Sequence, residues 1–211
     1  MRLPRTLDPA EVRVAGALLE KELLTPDVYP MTLQGLVAAC NQRTSREPVT
    51  DLTAAEVTSA LDRLRELVLA WKVTGGRADK WEHNLDAKWQ LARPEKALVA
   101  LLLLRGAQTA AELRTRAERM HDFASLDAAE ALLREMAAHP EPLVVELPRR
   151  PGQKETRWGH LASGTPADDP SVSRPAAPAG PSAIERRLLS LEERLAAVEA
   201  ELAALKSSLG A

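Results

Sequence analysis

The residues able to do chemistry are few and scattered. The chain has four His and one Cys, and it carries no Gly-rich phosphate loop, no HExxH and no GxSxG. His83 and His160 each stand two residues after a tryptophan, Trp81 and Trp158. A paired ligand or proton site would use such a recurrence. So would two hairpins, each anchored by its Trp, with the His at the strand end. His121-Asp122 offers an acid–base pair but no nucleophile beside it, and His139 sits in a helix-ending His-Pro. Cys40, in Val37-Ala38-Ala39-Cys40, reads as a small buried apolar residue. No pair of groups is arranged to move a proton or attack a carbon, so neither an enzyme nor a cofactor or metal is expected.

Donor-rich segments are the alternative. Cys40 to Val49 holds Asn41, Gln42, Arg43 and Arg46, donors suited to a phosphate, a base edge or a carboxylate. The same residues could instead fix a long turn, with Asn41 and Arg46 bonding backbone carbonyls and Glu20. Two further cationic sets lie in hairpins: Lys72, Arg77 and Lys80, then Arg149, Arg150, Lys154 and Arg157. These nine cations are the candidate nucleic-acid contacts.

The elements that must position them are legible. Asp8-Pro9-Ala10-Glu11 places an N-cap, a Pro at the first helical position and a capping-box Glu in order. Leu7 and Val12 flank it as a staple. Thr53–Glu56, Thr109–Glu112, Asp127–Glu130 and Ser182–Glu185 repeat the box, with weaker starts at Thr32 and Pro94. The predicted helices are 9–24, 33–42, 54–69, 94–105, 110–120, 128–138 and 183–208. Val68–Val73 with Lys80–His83, around Gly75-Gly76, reads as a hairpin. Leu143–Leu147 with Thr156–His160, around Pro151-Gly152, reads as a second.

These elements repeat. Thr32-x-x-x-Leu36 matches Thr109-x-x-x-Leu113, Leu52–Glu56 matches Leu126–Glu130, and Lys80–His83 matches Arg157–His160. Each copy reads helix, helix, helix, hairpin, the order of a winged helix. The inner face of the third helix is Val57, Ala60, Leu61, Leu64 and Leu67 in copy one, and Ala129, Leu132, Leu133 and Met136 in copy two. Its outward residues are Thr58, Ser59, Asp62, Arg63 and Glu66, then Glu130, Arg134 and Glu135. Both outward sets are mildly acidic, which disfavours a groove face beside phosphates.

Residues 165–181 read as a Pro-rich linker, able to span about 50 Å if extended. Beyond it, Ile184, Leu188, Leu191, Leu195, Val198, Leu202, Leu205 and Leu209 form an unbroken heptad seam. In a parallel coil Arg187 faces Glu192, Arg194 faces Glu199 and Glu201 faces Lys206, all opposite in sign. A helix folded back on its own chain is the alternative, and dimer against trimer stays open. The expected fold is thus mainly α with small β-hairpin wings, an α+β chain. Tandem winged-helix domains (1–92 and 93–164) precede the linker and a coiled-coil helix (182–211).

Charge bears on function. Net charge is −2, and 27% of residues are charged. Residues 1–93 hold 13 cations and 13 anions, residues 94–165 hold 10 and 10, and residues 166–211 hold 5 and 7. No segment has the basic surplus of a domain that neutralises many phosphates. The longest apolar run, Ala97–Leu104, is far short of a membrane span, and the first residues show no apolar signal region, so a cytoplasmic protein is expected.

Several stretches resemble the YceH-like family of uncharacterised bacterial proteins. They are Leu18-Leu19-Glu20-Lys21, Thr25-Pro26 with Tyr29-Pro30, Ala39-Cys40-Asn41-Gln42 and Arg46-Glu47-Pro48-Val49. In the second copy they are Leu102 to Thr109, Glu112-Leu113-Arg114 and the Pro151-Gly152 turn. The resemblance implies tandem winged helices and supplies no activity or site residues. Trp81 and Trp158 stand where the family tends to have Tyr. The function expected first is a DNA-binding or transcription-associated protein, with the tail multimerising the chain; the alternative is a protein-interaction scaffold docking a partner on the acidic third helices and apolar domain faces.

Overall fold

The computed structural model describes residues 4–76, 78–149, 152–153 and 155–165, all within one compact unit. The predicted linker and tail, with every residue of the heptad seam, lie outside the described residues, as do Arg77, Arg150 and Lys154. The elements run α1 (Pro9–Leu24), β1 (Met31–Thr32), α2 (Leu33–Cys40), α3 (Ala54–Glu66), β2 (Ala70–Val73) and β3 (Lys80–His83). They continue α4 (Leu85–Trp89), α5 (Arg93–Arg105), α6 (Ala110–Ala117), α7 (Leu126–Ala138), β4 (Val144–Leu147) and β5 (Arg157–His160). The architecture is mixed, helices with small antiparallel sheets.

Three capping boxes form as the sequence reads. Asp8 accepts from the Glu11 N–H at 2.9 Å while Glu11 accepts from the Asp8 N–H at 2.8 Å. Thr53 with Glu56 and Thr109 with Glu112 do the same. The box expected at Asp127 does not start α7. Ser125 is the N-cap, accepting from the Ala128 N–H at 3.1 Å. Asp127 then falls in the first turn, where its charge favours the helix dipole, and Glu130 pairs with Arg134.

Helix ends are shorter than expected. Val68, read as the start of a strand, takes a left-handed φ of 58°. The chain reverses there: the Leu69 N–H donates to the Leu64 carbonyl at 2.8 Å, a C-terminal helix stop that delays β2 to Ala70. The short elements β1 and α4 were not anticipated.

The duplication is visible in the sheets. The first has order β1-β3-β2, with Met31 opposite Trp81. In the second copy β4 pairs with β5, and Gln108 forms an isolated bridge to Trp158, the counterpart of the β1–β3 contact. Both tryptophans are buried, so each anchors its hairpin on the helices. The expected inner faces of α3 and α7 are buried too, with Leu67 and Leu132 partly covered.

One apolar cluster runs through both copies. At its centre α1 lies against α5. Residues Lys96 to Leu104 of α5 are all buried, as are Glu11 to Glu20 of α1, the pattern of helices enclosed on all sides. The approach is closest at Gly16, where a Cβ would fall 2.9 Å from Leu104 Cγ and 3.0 Å from Leu103 Cβ. Among the described residues no helix is long and apolar enough to cross a membrane. A Gly16→Val protein is expected to lose about 1–3 kcal/mol in urea unfolding, because the added side chain must push α5 away.

Candidate interaction surface

The donor-rich Cys40–Val49 segment is turned inward. Arg46 is buried, its guanidinium on both Glu20 oxygens at 2.8 and 2.9 Å. The rest of its fork donates to the carbonyls of Ala39 and Ser45, each at 2.9 Å. Arg13 donates to the Pro48 carbonyl at 2.5 Å. Asn41 caps the following turn, donating to the Leu52 carbonyl and accepting from the Leu52 N–H, both at 2.8 Å. The turn-fixing alternative is therefore the one realised for Arg46 and Asn41, and Arg46 is no surface cation. Arg43 remains exposed. Burial raises the Glu20 carboxyl, but the hydrogen bonds and charge of Arg46, with Lys21, outweigh it and hold the group ionised below its usual range. Burial pushes the Cys40 thiol up to about 12, so the thiolate nucleophile is absent at neutral pH.

The outward face of α3 is the predicted one: Thr58, Ser59, Asp62, Arg63 and Glu66 line an open shelf. Its arginines are held down. Arg63 donates to Asp8 at 2.6 Å and Ser59 at 2.6 Å, and lies 3.5 Å from buried Glu11, whose other charged partner is Arg5. Arg65 pairs with Asp62 at 3.3 Å. In the first hairpin Lys72 pairs with Asp79 at 2.6 Å, and Lys80 is exposed.

In the second copy α6, α7 and the hairpin enclose a concavity of about 260 Å³. Glu130, Arg134, Glu146, Arg149 and Glu155 line it, with Trp158. Arg149 is exposed, while Arg157 donates to the Ala107 carbonyl. Of the nine predicted cations, then, the structure brings Arg149 to a concave surface. It ties Arg46, Lys72 and Arg157 to protein acceptors and leaves Arg43 and Lys80 exposed.

Two histidines that looked like repeats have different surroundings. His83 Nδ1 accepts from the Leu85 N–H at 3.3 Å, so Nε2 carries the proton and donates to Glu22 at 3.1 Å. Lys96 bridges Glu22, at 2.5 Å, and Asp86, so four elements meet at one charge cluster. Glu22, His83 and Asp86 lie close enough to hold a metal ion, but the Lys96 ammonium already sits between the two carboxylates and offsets one of their two charges. Sequence reasoning missed this cluster, because its members are separated by up to 74 residues and no local spacing joins them. The His83 hydrogen bond, aided by Lys96, holds the Glu22 carboxyl down at about 2. His160 has a buried Nδ1 without a hydrogen-bond partner among the described residues, and burial lowers it to about 4.

A duplicated helix–hairpin chain built around two buried helices defines a mixed α/β protein with small antiparallel sheets. Residues 7–153 match a family described as protein of unknown function, DUF480. Relatives named UPF0502 protein include one from Geobacter sulfurreducens, 49% identical over 82% of this chain and 80% of its own length. One from Chromobacterium violaceum is 49% identical over 76% and 74%. One from Burkholderia pseudomallei strain 668 is 47% identical over 78% and 70%. The chain belongs to this DUF480/UPF0502 family, in agreement with the YceH-like resemblance.

Two predictions follow from these groups. Glu20→Gln leaves the Arg46 charge buried beside a neutral partner and is expected to cost about 3–5 kcal/mol in chemical denaturation, whereas Glu20→Leu with Arg46→Met together costs far less. The second concerns acid. His160 is held neutral in the fold, so the unfolded chain binds its proton first and stability falls as pH drops from 6.5 to about 4. Glu22 is held ionised, so its contribution is full above 4.5 and is lost as pH falls towards about 2. Urea midpoints measured against pH should lose the first slope in His160→Phe and the second in Glu22→Gln.

Proposed function

We propose that this chain is a non-enzymatic tandem winged-helix protein acting as a protein-interaction scaffold. Its units are 1–92 and 93–164, joined through α1 and α5, with the outward faces of α3 and α7 as docking surfaces. The order helix, helix, helix, hairpin in both copies, with a short strand in the first and an isolated bridge in its place in the second, supports the winged-helix reading. One observation carries the scaffold: the exposed third helices are acidic and their arginines are already paired. α3 has Glu56, Asp62 and Glu66 against Arg63 and Arg65. α7 has Asp127, Glu130 and Glu135 against Arg134. Such faces repel phosphates and attract basic protein surfaces. The heptad seam from Ile184 to Leu209 would hold copies together as a parallel coil and raise avidity.

Duplex DNA is the second reading, favoured by exposed Arg149 beside Arg134 at the second-copy concavity. Arg150 and Lys154 follow Arg149 within five positions in the sequence. Two assays on the full chain separate the readings. The scaffold predicts no salt-dependent binding to generic duplex DNA, and protein capture that is lost on Asp62→Lys with Glu66→Lys but kept when Arg149, Arg150 and Lys154 become Ala. DNA binding that falls steeply with salt, and that the triple Ala change abolishes, would replace the scaffold with the DNA reading.

A further inference from the structure

The two copies treat the outer edges of their hairpins differently. In the first sheet β2 is an edge strand, paired only with β3. The Asn84 N–H donates to the Leu69 carbonyl at 2.9 Å, which makes Leu69 and Asn84 a hydrogen-bonded pair. Antiparallel pairs alternate, so Trp71 and Val73 bond to β3, while the N–H and carbonyl groups of Ala70 and Lys72 point away from it. The same alternation turns Trp81 and His83 of β3 to the opposite side, where Trp81 lies opposite Met31 and the His83 N–H meets the Tyr29 hydroxyl. Among the described residues no hydrogen bond reaches the outward groups of Ala70 and Lys72. Unpaired edges are usually guarded by a charge, a proline or a bulge. The edge of β4 carries exposed Glu146 and is followed by Pro148. The edge of β2 has no proline and no bulge, its Lys72 is already paired with Asp79 at 2.6 Å, and Trp71 is 43% exposed. In the duplication Trp71 corresponds to the half-buried Val145, since the one faces Glu82 and the other Gly159.

We propose that this edge pairs with the same edge of a second copy of the chain, β2 against β2 about a two-fold axis through Trp71. The match of the edge to itself selects that occupant. With Trp71 on the axis, Ala70 of each copy faces Lys72 of the other, so every outward group of both strands enters one of four main-chain hydrogen bonds. Moving the register one way sets Lys72 opposite Lys72, where like charges repel. Moving it the other way sets Lys72 opposite Val68, whose left-handed φ of 58° ends the strand. The axis position is a non-hydrogen-bonded one, where facing side chains come closest, so the two exposed indoles cover each other. A patch that complements itself is what a two-fold contact requires. Four main-chain bonds and two indoles fall short of the roughly 1,600 Å² buried by a standard stable interface, so the pairing depends on concentration. It uses no part of the acidic faces of α3 and α7.

Two measurements on the full chain test the pairing. Amide hydrogen exchange by NMR reads the edge without altering it. Exchange at Ala70 and Lys72 is expected to slow at least about twofold as the chain is concentrated to about 1 mM. Crosslinking then reads the register. In Trp71→Cys the two thiols meet on the axis at a separation a disulfide spans, and their oxidation should run about tenfold faster than in Val73→Cys, whose thiols are held apart. Cys40 is buried and does not compete. Adding Lys72→Pro removes an outward N–H and leaves the bonds to β3 in place. It should bring the Trp71→Cys rate down to that of Val73→Cys with little change in the urea midpoint. Exchange that ignores concentration, equal crosslinking of the two Cys chains, or a Trp71→Cys rate that Lys72→Pro leaves untouched would each overturn the pairing. Partner capture through Asp62 and Glu66 is read separately, so the scaffold reading and the edge pairing stand or fall independently.

Discussion

The rest of the molecule hangs on the contact between α1 and α5. Both helices are apolar around most of their circumference, so neither can sit on a surface, and each covers what the other exposes. Gly16 lets the backbones approach where any larger residue would meet Leu103 and Leu104. With the first helices of both copies locked together inside, everything else is arranged around them. The remaining helices and the hairpins form the outside. The Glu47 N–H even reaches the Leu104 carbonyl at 2.9 Å, so the long turn of copy one is tied to the central helix of copy two.

That arrangement explains the electrostatics. A turn pressed onto buried helices must satisfy its polar groups internally, because water cannot reach them. Arg46 meets Glu20 there, and Asn41 closes the loop to Leu52. The same pressure brings Lys96 of α5 between Glu22 and Asp86. Cations that look available in a string of letters are drawn inward by carboxylates on other segments. What stays outside is weighted towards Asp and Glu on α3 and α7, and this bias gives the surface its chemical character.

The regular elements were legible because their signals are local. Capping boxes at Asp8, Thr53 and Thr109 need three consecutive peptide units and a side chain of the right length, all within one turn. The inner faces of α3 and α7 follow from helical spacing alone. The recurrence of Trp81 and Trp158 marked the duplication, and the backbone pairings Met31–Trp81 and Gln108–Trp158 are its three-dimensional form. Less legible were β1 and the bridge at Gln108. A strand of two residues has no periodicity to detect, and it exists because a neighbouring hairpin offers it partners. Val68 was misread for a related reason: its β-branched side chain favours a strand, yet the chain needed a reversal there to bring β2 back over the core.

By itself the sequence determined the helices other than α4, the starts of α1, α3 and α6, the buried faces of α3 and α7, the two hairpins and the duplication, since each depends on residues within a few positions of one another. Only the tertiary structure decided which charged groups are free. The fates of Arg46, Arg63, Lys96 and His83 depend on carboxylates 26, 55, 74 and 61 residues away. Such pairs form only when packing brings distant segments together and removes the water between them, and no spacing along the chain records that event.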